Sequence, residues 1–195
     1  MPSAGAGLGY LPPAAALSYP VPPGNYPAPS SARGSMSPAA PPSSTLSHGG
    51  YSWRATTCHQ SSMLCPKGVL AGRDSDGTEI YVGRSLYQGD VVPAKVIPNK
   101  SAAYISYNGV EVPVNNFEIL VRSECKWVQS RNGTVPPGAF PVGQTVSGEV
   151  LYAGRVHLRG GVAVGKVHPS HGCCYIPYNG QEEAHKVYEV MVLET

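Results

Sequence analysis

The chain has 195 residues, a formal net charge of +2 at pH 7 and only 13% charged side chains. This length is enough to bury the core of one or two small domains. Lysine and arginine are scattered, so no basic face suited to nucleic acid is expected. No apolar run approaches the roughly 18 residues that a membrane-spanning helix needs, so no transmembrane segment is predicted either.

Residues 1–50 have a biased composition, rich in Pro, Ala, Ser, Gly and spaced Tyr, with Arg33 as the one charged side chain. Such a segment buries too little apolar surface to offset the entropy of ordering, so we predict a disordered tail. Its Pro-Tyr elements are typical ligands of domains with aromatic-lined grooves, although a plain spacer is the simpler interpretation. The same prolines interrupt any apolar core of a signal peptide. We therefore expect a cytoplasmic protein, or a vesicular or secreted one exported by an unconventional route.

From Trp53 onward, short runs of aromatic and β-branched residues alternate with turn signals such as Asn108-Gly109. Long helical periodicity is absent, and prolines such as Pro93 are expected only at edges or turns. This pattern predicts an all-β fold of short antiparallel strands. The predicted strands are residues 79–84, 103–107, 117–121, 150–155, 174–178 and 188–192.

The folded region contains an internal duplication. Residues 151–180 match residues 80–109 at 13 of 30 positions without a gap, at an offset of 71, whereas chance would give roughly two. We predict two modules, residues 51–123 and 124–195, each of about four to five strands. Since so few strands barely enclose a core, the modules are expected to pack together or interleave about a pseudo-twofold axis.

Conspicuous side chains within the modules have structural interpretations. Gly83 and its equivalent Gly154, each inside a predicted strand, mark either a bulge or a close backbone approach. Arg84 and its equivalent Arg155 are expected to pair with carboxylates, Glu118 and Glu189 being the candidates. The two tryptophans and the duplicated tyrosines and isoleucines are assigned to the core; they are Trp53, Trp127, Tyr81, Tyr152, Ile105 and Ile176.

The five cysteines, at positions 58, 65, 125, 173 and 174, are interpreted as reduced thiols. His168, His171 and Cys173 have a spacing compatible with zinc. The equivalent positions of the first module hold no such ligands, so we predict no metal and no other cofactor. A nucleophile built from Cys173 and His171 lacks an orienting partner, and no enzymatic activity is expected.

The motif Gly-x-Asp-x-Asp-Gly-x-x-Ile-Tyr-Val-Gly-Arg at residues 72–84, with Tyr-Ile-Pro-Tyr-x-Gly at 175–180, resembles the DM9 repeat family. The resemblance runs from Trp53 to about Glu194 and occurs twice. The family includes invertebrate mannose-binding lectins, and related repeats form the lectin part of natterin-like toxins. The resemblance to the DM9 lectins implies an all-β fold with two repeats about a pseudo-twofold axis, a homodimer, and mannose binding. It also implies that Asp74 and Lys95 bind the sugar.

The chemistry of these residues suits a sugar. A carboxylate accepts hydrogen bonds from hydroxyls and an ammonium donates to them, both with charge assistance. Asp74 or Asp76 on a turn would supply the acceptor, and Lys95 on a neighbouring loop the donor. The same residues also have a ligand-free interpretation, in which the aspartates form an Asx-turn and Lys95 lies along apolar surface with its charge in water.

The second repeat departs from this pattern. Thr145 stands opposite Asp74 and Ser147 opposite Asp76, while Lys166 repeats Lys95. Three interpretations stay open, namely an inactive site, a site that uses hydroxyls such as that of Thr145, or an acceptor taken from nearby. The candidate acceptors are Glu149, Glu182 and Glu183. We predict that the first site is the stronger.

These observations favour a non-enzymatic lectin for mannose-containing glycans, acting as a pattern-recognition protein of innate immunity and gaining avidity as a dimer. The alternative is a cytosolic interaction or membrane-trafficking protein whose tail recruits partners and whose β-modules bind something other than sugar. Binding to a glycan array, with competition by mannose, discriminates between the two.

Overall fold

The computed structural model describes residues 51–121 and 124–194, which form β-strands joined by short turns. The strands are β1 (Ser52–Thr57), β2 (Leu70–Arg73), β3 (Glu79–Tyr87), β4 (Asp90–Ile97), β5 (Ala102–Tyr107), β6 (Val110–Pro113), β7 (Asn116–Val121), β8 (Cys125–Arg131), β9 (Gly143–Gln144), β10 (Val150–Leu158), β11 (Gly161–His168), β12 (Cys173–Tyr178), β13 (Gln181–His185) and β14 (Val187–Leu193). The single-turn 3-10 helices are Ser61–Met63, Cys65–Lys67, Pro98–Lys100 and Pro169–His171.

The all-β prediction is confirmed over these residues. The predicted tail, residues 1–50, lies outside them. Within the described ranges, no helix is both long enough and apolar enough to span a bilayer.

The strand order displays the duplication. Twelve strands follow the path β1-β7-β3-β4-β5-β6-β13-β12-β11-β10-β14-β8, while β2 pairs with β3, and β9 pairs with β10 and β4. The first six strands of this path belong to the first repeat and the last six to the second. If seven is added to each strand number of the first six, the result is the last six in reverse order. The two halves meet where Gln181 of β13 pairs with Val110 of β6, and these positions are themselves equivalent. The predicted pseudo-twofold arrangement is confirmed.

Two hairpins next to this junction owe their geometry to Asn-Gly pairs. Asn108 and Gly109 have φ values of 48° and 82°, and Asn179 and Gly180 have 51° and 81°. Positive φ at both central residues defines the type I′ turn, whose twist matches that of the flanking strands. The turns therefore fix the register of β5 with β6 and of β12 with β13.

Strands β3 and β7 approach each other closely at Gly83. A Cβ atom there would lie 2.6 Å from Val96 Cγ2 and 3.0 Å from the Glu118 carbonyl oxygen. The equivalent Gly154 is crowded in the same way by Val167 and Cys174. A close approach of backbone is thus found at Gly83, whereas at Gly154 the close neighbours are side chains.

One proline prediction is wrong. Pro93 lies within β4, where it pairs with Arg84 of β3, rather than at an edge or turn. Pairing of β4 with β5 begins only at Ala94, opposite Ile105. One side of Pro93 therefore has no β5 partner to supply with an N–H, so the strand tolerates it.

Each repeat has seven strands, β1–β7 and β8–β14, instead of the four to five expected.

The largest cluster of buried apolar side chains belongs to both repeats. The first repeat contributes Val69, Ala71, Ile80, Val82, Ile97 and Leu120, and the second contributes Phe140, Val142, Ala153, Val164 and Met191. In addition, Gln144 of β9 pairs with Val91 of β4. The repeats thus interleave as well as pack together and share this cluster, while each repeat also has a smaller apolar cluster of its own, around Phe117 in the first and around Tyr188 in the second.

Both predicted arginine pairs are confirmed. Arg84 Nε lies 2.7 Å from Glu118 Oε2, and Arg155 Nε lies 2.5 Å from Glu189 Oε2. These side chains are mostly buried. In such a place each charge needs its partner, so the pair fixes the relative position of the two side chains.

The tryptophans are half-buried rather than fully within the core. The Arg84 guanidinium lies 4.2 Å from the Trp53 ring centroid, and Arg155 lies 4.6 Å from that of Trp127. Each indole therefore covers an arginine by a cation–π contact. Among the other core assignments Tyr81, Ile105 and Ile176 are buried, whereas the ring of Tyr152 is half-buried.

Candidate functional site

The acidic turn of the first repeat connects β2 to β3 and has Asx-turn geometry. The Ser75 N–H donates to Asp74 Oδ1 over 2.7 Å, and the Thr78 N–H donates to Asp76 Oδ1 over 2.9 Å. The Gly77 N–H closes the turn on the Asp74 carbonyl at 2.9 Å. These bonds hold both carboxylates at the surface, and each carboxylate keeps further acceptor positions.

Lys100, a residue not predicted from the sequence, is the cation at this turn. Its Nζ lies 3.1 Å from Asp74 Oδ2 and 2.7 Å from Asp76 Oδ2, and the three side chains are 32–50% exposed. Hydrogen bonds to Asp76 and Asp74 raise the pKa of Lys100. Partial burial acts to raise the pKa of Asp74, but the Ser75 N–H and Lys100 outweigh it and lower that pKa. Lys100 and then Thr78 lower the pKa of Asp76, so all three groups stay charged around neutrality.

Lys95 does not occupy the expected loop. It lies in β4 and is only 8% exposed. Its Nζ is 2.9 Å from Glu111 Oε1 and donates to the Pro177 carbonyl over 2.6 Å, with the Tyr104 ring centroid 5.2 Å away. No ion pair joins Lys95 to Asp74, although both residues fall within the described ranges. The expected direct pairing is not formed, because each charge has a nearer partner.

Lys166 has the equivalent surroundings in the second repeat. It is 9% exposed, donates to the Ser106 carbonyl over 2.8 Å and lies 2.9 Å from Glu182 Oε1. This last contact is an ion pair, and Glu182 Oε1 has no hydrogen-bond partner among the described residues. The structure therefore brings Lys166 and Glu182 together beneath the surface.

These two ion pairs join the repeats. Each lysine donates to a backbone carbonyl of the other repeat, and each glutamate accepts a backbone N–H of the other repeat over 2.7 Å with its second oxygen. Glu111 follows Lys95 by 16 residues, and Glu182 follows Lys166 by the same interval. That repeated spacing was a signal in the sequence from which the pairs were predictable.

Thr145 and Ser147 occupy the positions of the two aspartates in the second repeat. Their hydroxyl oxygens are 2.9 Å apart, and Thr145 Oγ1 accepts from the Glu149 N–H over 3.0 Å. The turn positions hold hydroxyls, and Glu149, two residues after Ser147, supplies the carboxylate. Of the three acceptors considered from the sequence, Glu149 is the one beside this turn.

Glu149 is held by the 3-10 turn Pro169–His171. Its Oε1 accepts from the Ser170 N–H over 2.9 Å, while its Oε2 accepts from Ser170 Oγ over 2.7 Å and lies 3.1 Å from His168 Nε2. The Ser170 N–H and hydroxyl lower the pKa of Glu149. A carboxylate thus meets the turn after β11 just as Asp74 meets the turn after β4.

The two histidines beside Glu149 stack. The ring centroids of His168 and His171 are 3.6 Å apart, and His171 Nδ1 lies 3.1 Å from the Tyr175 hydroxyl. Burial and the neighbouring His171 lower the pKa of His168. His168 Nδ1 is buried and has no partner among the described residues. A neutral ring whose proton lies on Nε2, where it can be donated to Glu149, satisfies these contacts best.

None of the five cysteines, all in the described ranges, forms a disulfide. Burial raises the pKa of Cys174 and keeps it a thiol. In residues 51–121 and 124–194, no set of three or more His, Cys, Asp and Glu side chains is arranged to hold a metal ion.

A groove of about 910 Å³ lies between β1, the β3–β4 hairpin and residues 113–118. None of the predicted site residues lines it. Its charged lining residues, Arg84 and Glu118, neutralise each other. The groove therefore offers no unpaired charge to a ligand.

The family model described as the DM9 repeat matches residues 74–192. Natterin-3 from Thalassophryne nattereri is 29% identical over 94 residues, a match that covers 46% of this chain but only 23% of Natterin-3. Among solved structures, the crystal structure of the nematode sperm cell motility protein MFP2B is similar with a TM-score of 0.52 at 14% identity, over 74% of this chain and 46% of that one. This last similarity concerns the fold alone.

Proposed function

Since the chain belongs to the DM9 repeat family, we propose that it is a non-enzymatic carbohydrate-binding protein with a preference for mannose-type glycans. The role that fits such binding is recognition of microbial surfaces. The family resemblance supports the lectin assignment, and the surface chemistry of the first repeat supplies the residues for it.

The observation behind the proposal is the exposed set of Asp74, Asp76 and Lys100. The Lys100 ammonium lies within 3.1 Å of an oxygen of each carboxylate, and the three side chains are 32–50% exposed. The carboxylates keep lone pairs for sugar hydroxyls, and the ammonium keeps one proton after its two ion pairs. Adjacent hydroxyls of a sugar need this combination of acceptors and donor, and charge assistance makes each bond stronger than a neutral one.

Lys100 rather than Lys95 is the sugar-facing cation in this proposal. The Lys95 ammonium is buried and engaged by Glu111 and Pro177, so a ligand would first have to break those contacts. Lys95 and Lys166 would then act on binding indirectly, by holding the repeats in place.

Binding at one such site is expected to be weak, on the order of millimolar to tens of micromolar, because hydroxyls exchange water bonds for protein bonds with little net gain. Useful affinity for a glycan surface would come from several sites on one assembly. We propose a twofold homodimer as that assembly.

Calorimetry of the full chain against methyl α-mannoside tests the proposal. Saturable binding is expected, and Asp74→Ala or Lys100→Ala should weaken binding at the first repeat about ten-fold, as expected for the loss of one charge-assisted bond. Lys67→Ala is the matched control, because Lys67 also ends a single-turn 3-10 helix but contacts neither aspartate. Absence of saturable binding by the unmodified chain would refute the function.

Lys95→Met separates the two lysines. If this variant folds and keeps its sugar affinity while Lys100→Ala loses it, Lys100 is the donor. The reverse result would return the role to Lys95 and show that a ligand displaces Glu111.

A further inference from the structure

We propose that the second repeat carries its own polyol-binding site, formed by Glu149, Ser170 and His171, which is open at neutral pH and closes in acid. The proposal rests on the carbohydrate binding proposed above and concerns a different surface of the chain. Its ligand class is the same, a neutral sugar with adjacent hydroxyls.

The position of this site follows from the internal duplication. In the first repeat, the β2–β3 turn contacts the 3-10 turn Pro98–Lys100 through Lys100. In the second repeat, the segment that ends at Glu149 contacts the 3-10 turn Pro169–His171. The turns are equivalent at the offset of 71, and Lys100 corresponds to His171. The same junction of the fold thus combines a carboxylate with a hydrogen-bonding side chain in both repeats, although the residues differ.

The groups at this junction have unused hydrogen-bonding capacity. Glu149 is 29% exposed along its side chain, and among residues 51–121 and 124–194 its Oε1 accepts only from the Ser170 N–H, so lone pairs remain for a hydroxyl. His171 is exposed and uses Nδ1 toward Tyr175. Its Nε2 has no partner among the described residues and is available to a second hydroxyl. The half-buried Tyr175 ring stands edge-on to the His171 ring, with centroids 5.8 Å apart, and completes one wall.

In this proposal, protonation of His168 closes the site; we call this effect the gate. His168 faces Glu149 from the preceding loop, His171 from its own turn, Lys166 from β11 and Tyr175 from β12. A proton added at the buried Nδ1 would find no acceptor among the described residues and would add a positive charge near Lys166. It would also strengthen the contact of Nε2 with Glu149 Oε2 and draw the negative charge of the carboxylate toward His168, so Oε1 would become a weaker acceptor for a ligand hydroxyl.

The direction of the pH effect follows from the charge states. The pKa of His168 is lowered by burial and His171, so the ring is neutral at neutral pH and gains its proton only below the usual histidine range near pH ~6.5. The pKa of Glu149 is lowered by Ser170, so Glu149 stays ionised. In the first repeat, the Asp74 and Asp76 pKa values are lowered and that of Lys100 is raised. Mild acid should therefore close the second site and spare the first.

Amide chemical shifts in the full chain can report the two sites separately. Titration with methyl α-mannoside at about pH 7.5 should shift the Ser75 and Ser170 amides saturably. When the pH is then lowered stepwise below the usual histidine range near pH ~6.5, the Ser170 response should weaken by about ten-fold or more, while the Ser75 response persists. Glu149→Gln should remove only the Ser170 response at every pH.

His168→Gln tests the gate, because glutamine keeps an N–H donor and cannot take up the proton. This variant should retain the Ser170 response in acid. His185→Gln is the matched control, since His185 pairs with Glu183 elsewhere in the same repeat, and it should behave as the unmodified chain.

The outcomes are distinguishable. If Ser75 responds and Ser170 does not at neutral pH, the second site is wrong while the proposed function stands. If neither amide responds, the proposed function itself fails. If the Ser170 amide responds to the sugar as strongly in acid as at neutral pH, His168 does not control the site. The same conclusion follows if His168→Gln loses the Ser170 response in acid as the unmodified chain does.

Discussion

A lysine inside a β-sheet is stable only when its ammonium is surrounded by acceptors. At Lys95 these are a carboxylate oxygen of Glu111, the Pro177 carbonyl and the face of Tyr104. The charge is thus compensated from three directions in a place that excludes most water. The arrangement recurs at Lys166, so the fold depends on it twice.

Replacing Lys95 by methionine keeps the apolar stem but leaves the Glu111 carboxylate, 13% exposed, without its cation. Removing one partner of a buried pair should lower the free energy of unfolding by about 3 kcal/mol. Urea denaturation measures the loss. The double variant Lys95→Met with Glu111→Gln should recover a large part of it, because no uncompensated charge remains.

Lys100→Met is the control for this prediction. Its ion pairs with Asp74 and Asp76 are exposed, so its effect on stability should stay below about 1 kcal/mol. Equal losses for Lys95→Met and Lys100→Met would contradict the view that Lys95 is a structural residue.

At the scale of elements, the contact between β3 and β7 depends on the absence of a side chain at Gly83. Gly83→Ala would place a methyl group 2.6 Å from Val96 Cγ2 and 3.0 Å from the Glu118 carbonyl oxygen. One of these neighbours is backbone, so the strands would have to separate. We expect a loss of about 1–3 kcal/mol of unfolding free energy, as for other overpacked cores.

Leu86→Ala in the same strand is the matched control. Leu86 is 47% exposed, and its truncation should change stability by no more than about 0.5 kcal/mol. Thermal and urea unfolding of both variants provide the comparison. A Gly83→Ala variant as stable as Leu86→Ala would show that the sheet adjusts there without cost.

The elements recoverable from the sequence are those with local signals. Alternating apolar residues and Asn-Gly turns predicted the core of β3, β5, β7 and their equivalents. Strand β4 was not predicted because a proline such as Pro93 normally interrupts a strand. Whether a strand tolerates this proline depends on the position at which β5 begins to pair with β4, which the sequence does not show. A short strand such as β9 forms through its pairing with other strands, and no local sequence pattern predicts it.

The same limit applies to the candidate site. Asp74 and Asp76 were predictable because an Asx-turn is local chemistry. Lys100 lies 26 residues beyond Asp74 and meets it only through the fold. Lys95 was predicted in a loop because a single lysine in an apolar run gives no local sign of a buried charge. The repeated 16-residue spacing identifies the carboxylates Glu111 and Glu182 as partners, but no sequence signal identifies the Pro177 carbonyl.

At the scale of the whole molecule, the two repeats are joined by reciprocal contacts. Arg84 Nη1 donates to the Val142 carbonyl over 3.5 Å, and Arg155 Nη1 donates to the Ala71 carbonyl over 2.5 Å. The buried lysines make the same kind of exchange, each with a carbonyl of the other repeat. Each repeat has an apolar cluster of its own, but the largest cluster is built from side chains of both repeats. Together with the reciprocal contacts, this shared cluster makes part of each repeat's interior depend on the other repeat.

The full chain should therefore unfold in one cooperative step. Opening one repeat would expose the apolar side chains of the other and leave two lysine carboxylate pairs without their carbonyls, so a half-folded state is disfavoured. Differential scanning calorimetry should give a single transition whose calorimetric enthalpy equals the van't Hoff enthalpy. The fragment of residues 51–123 should lack dispersed amide signals when expressed alone. Two separate transitions, or a well-dispersed spectrum from that fragment, would mean that each repeat folds independently and that the reciprocal contacts only dock finished domains.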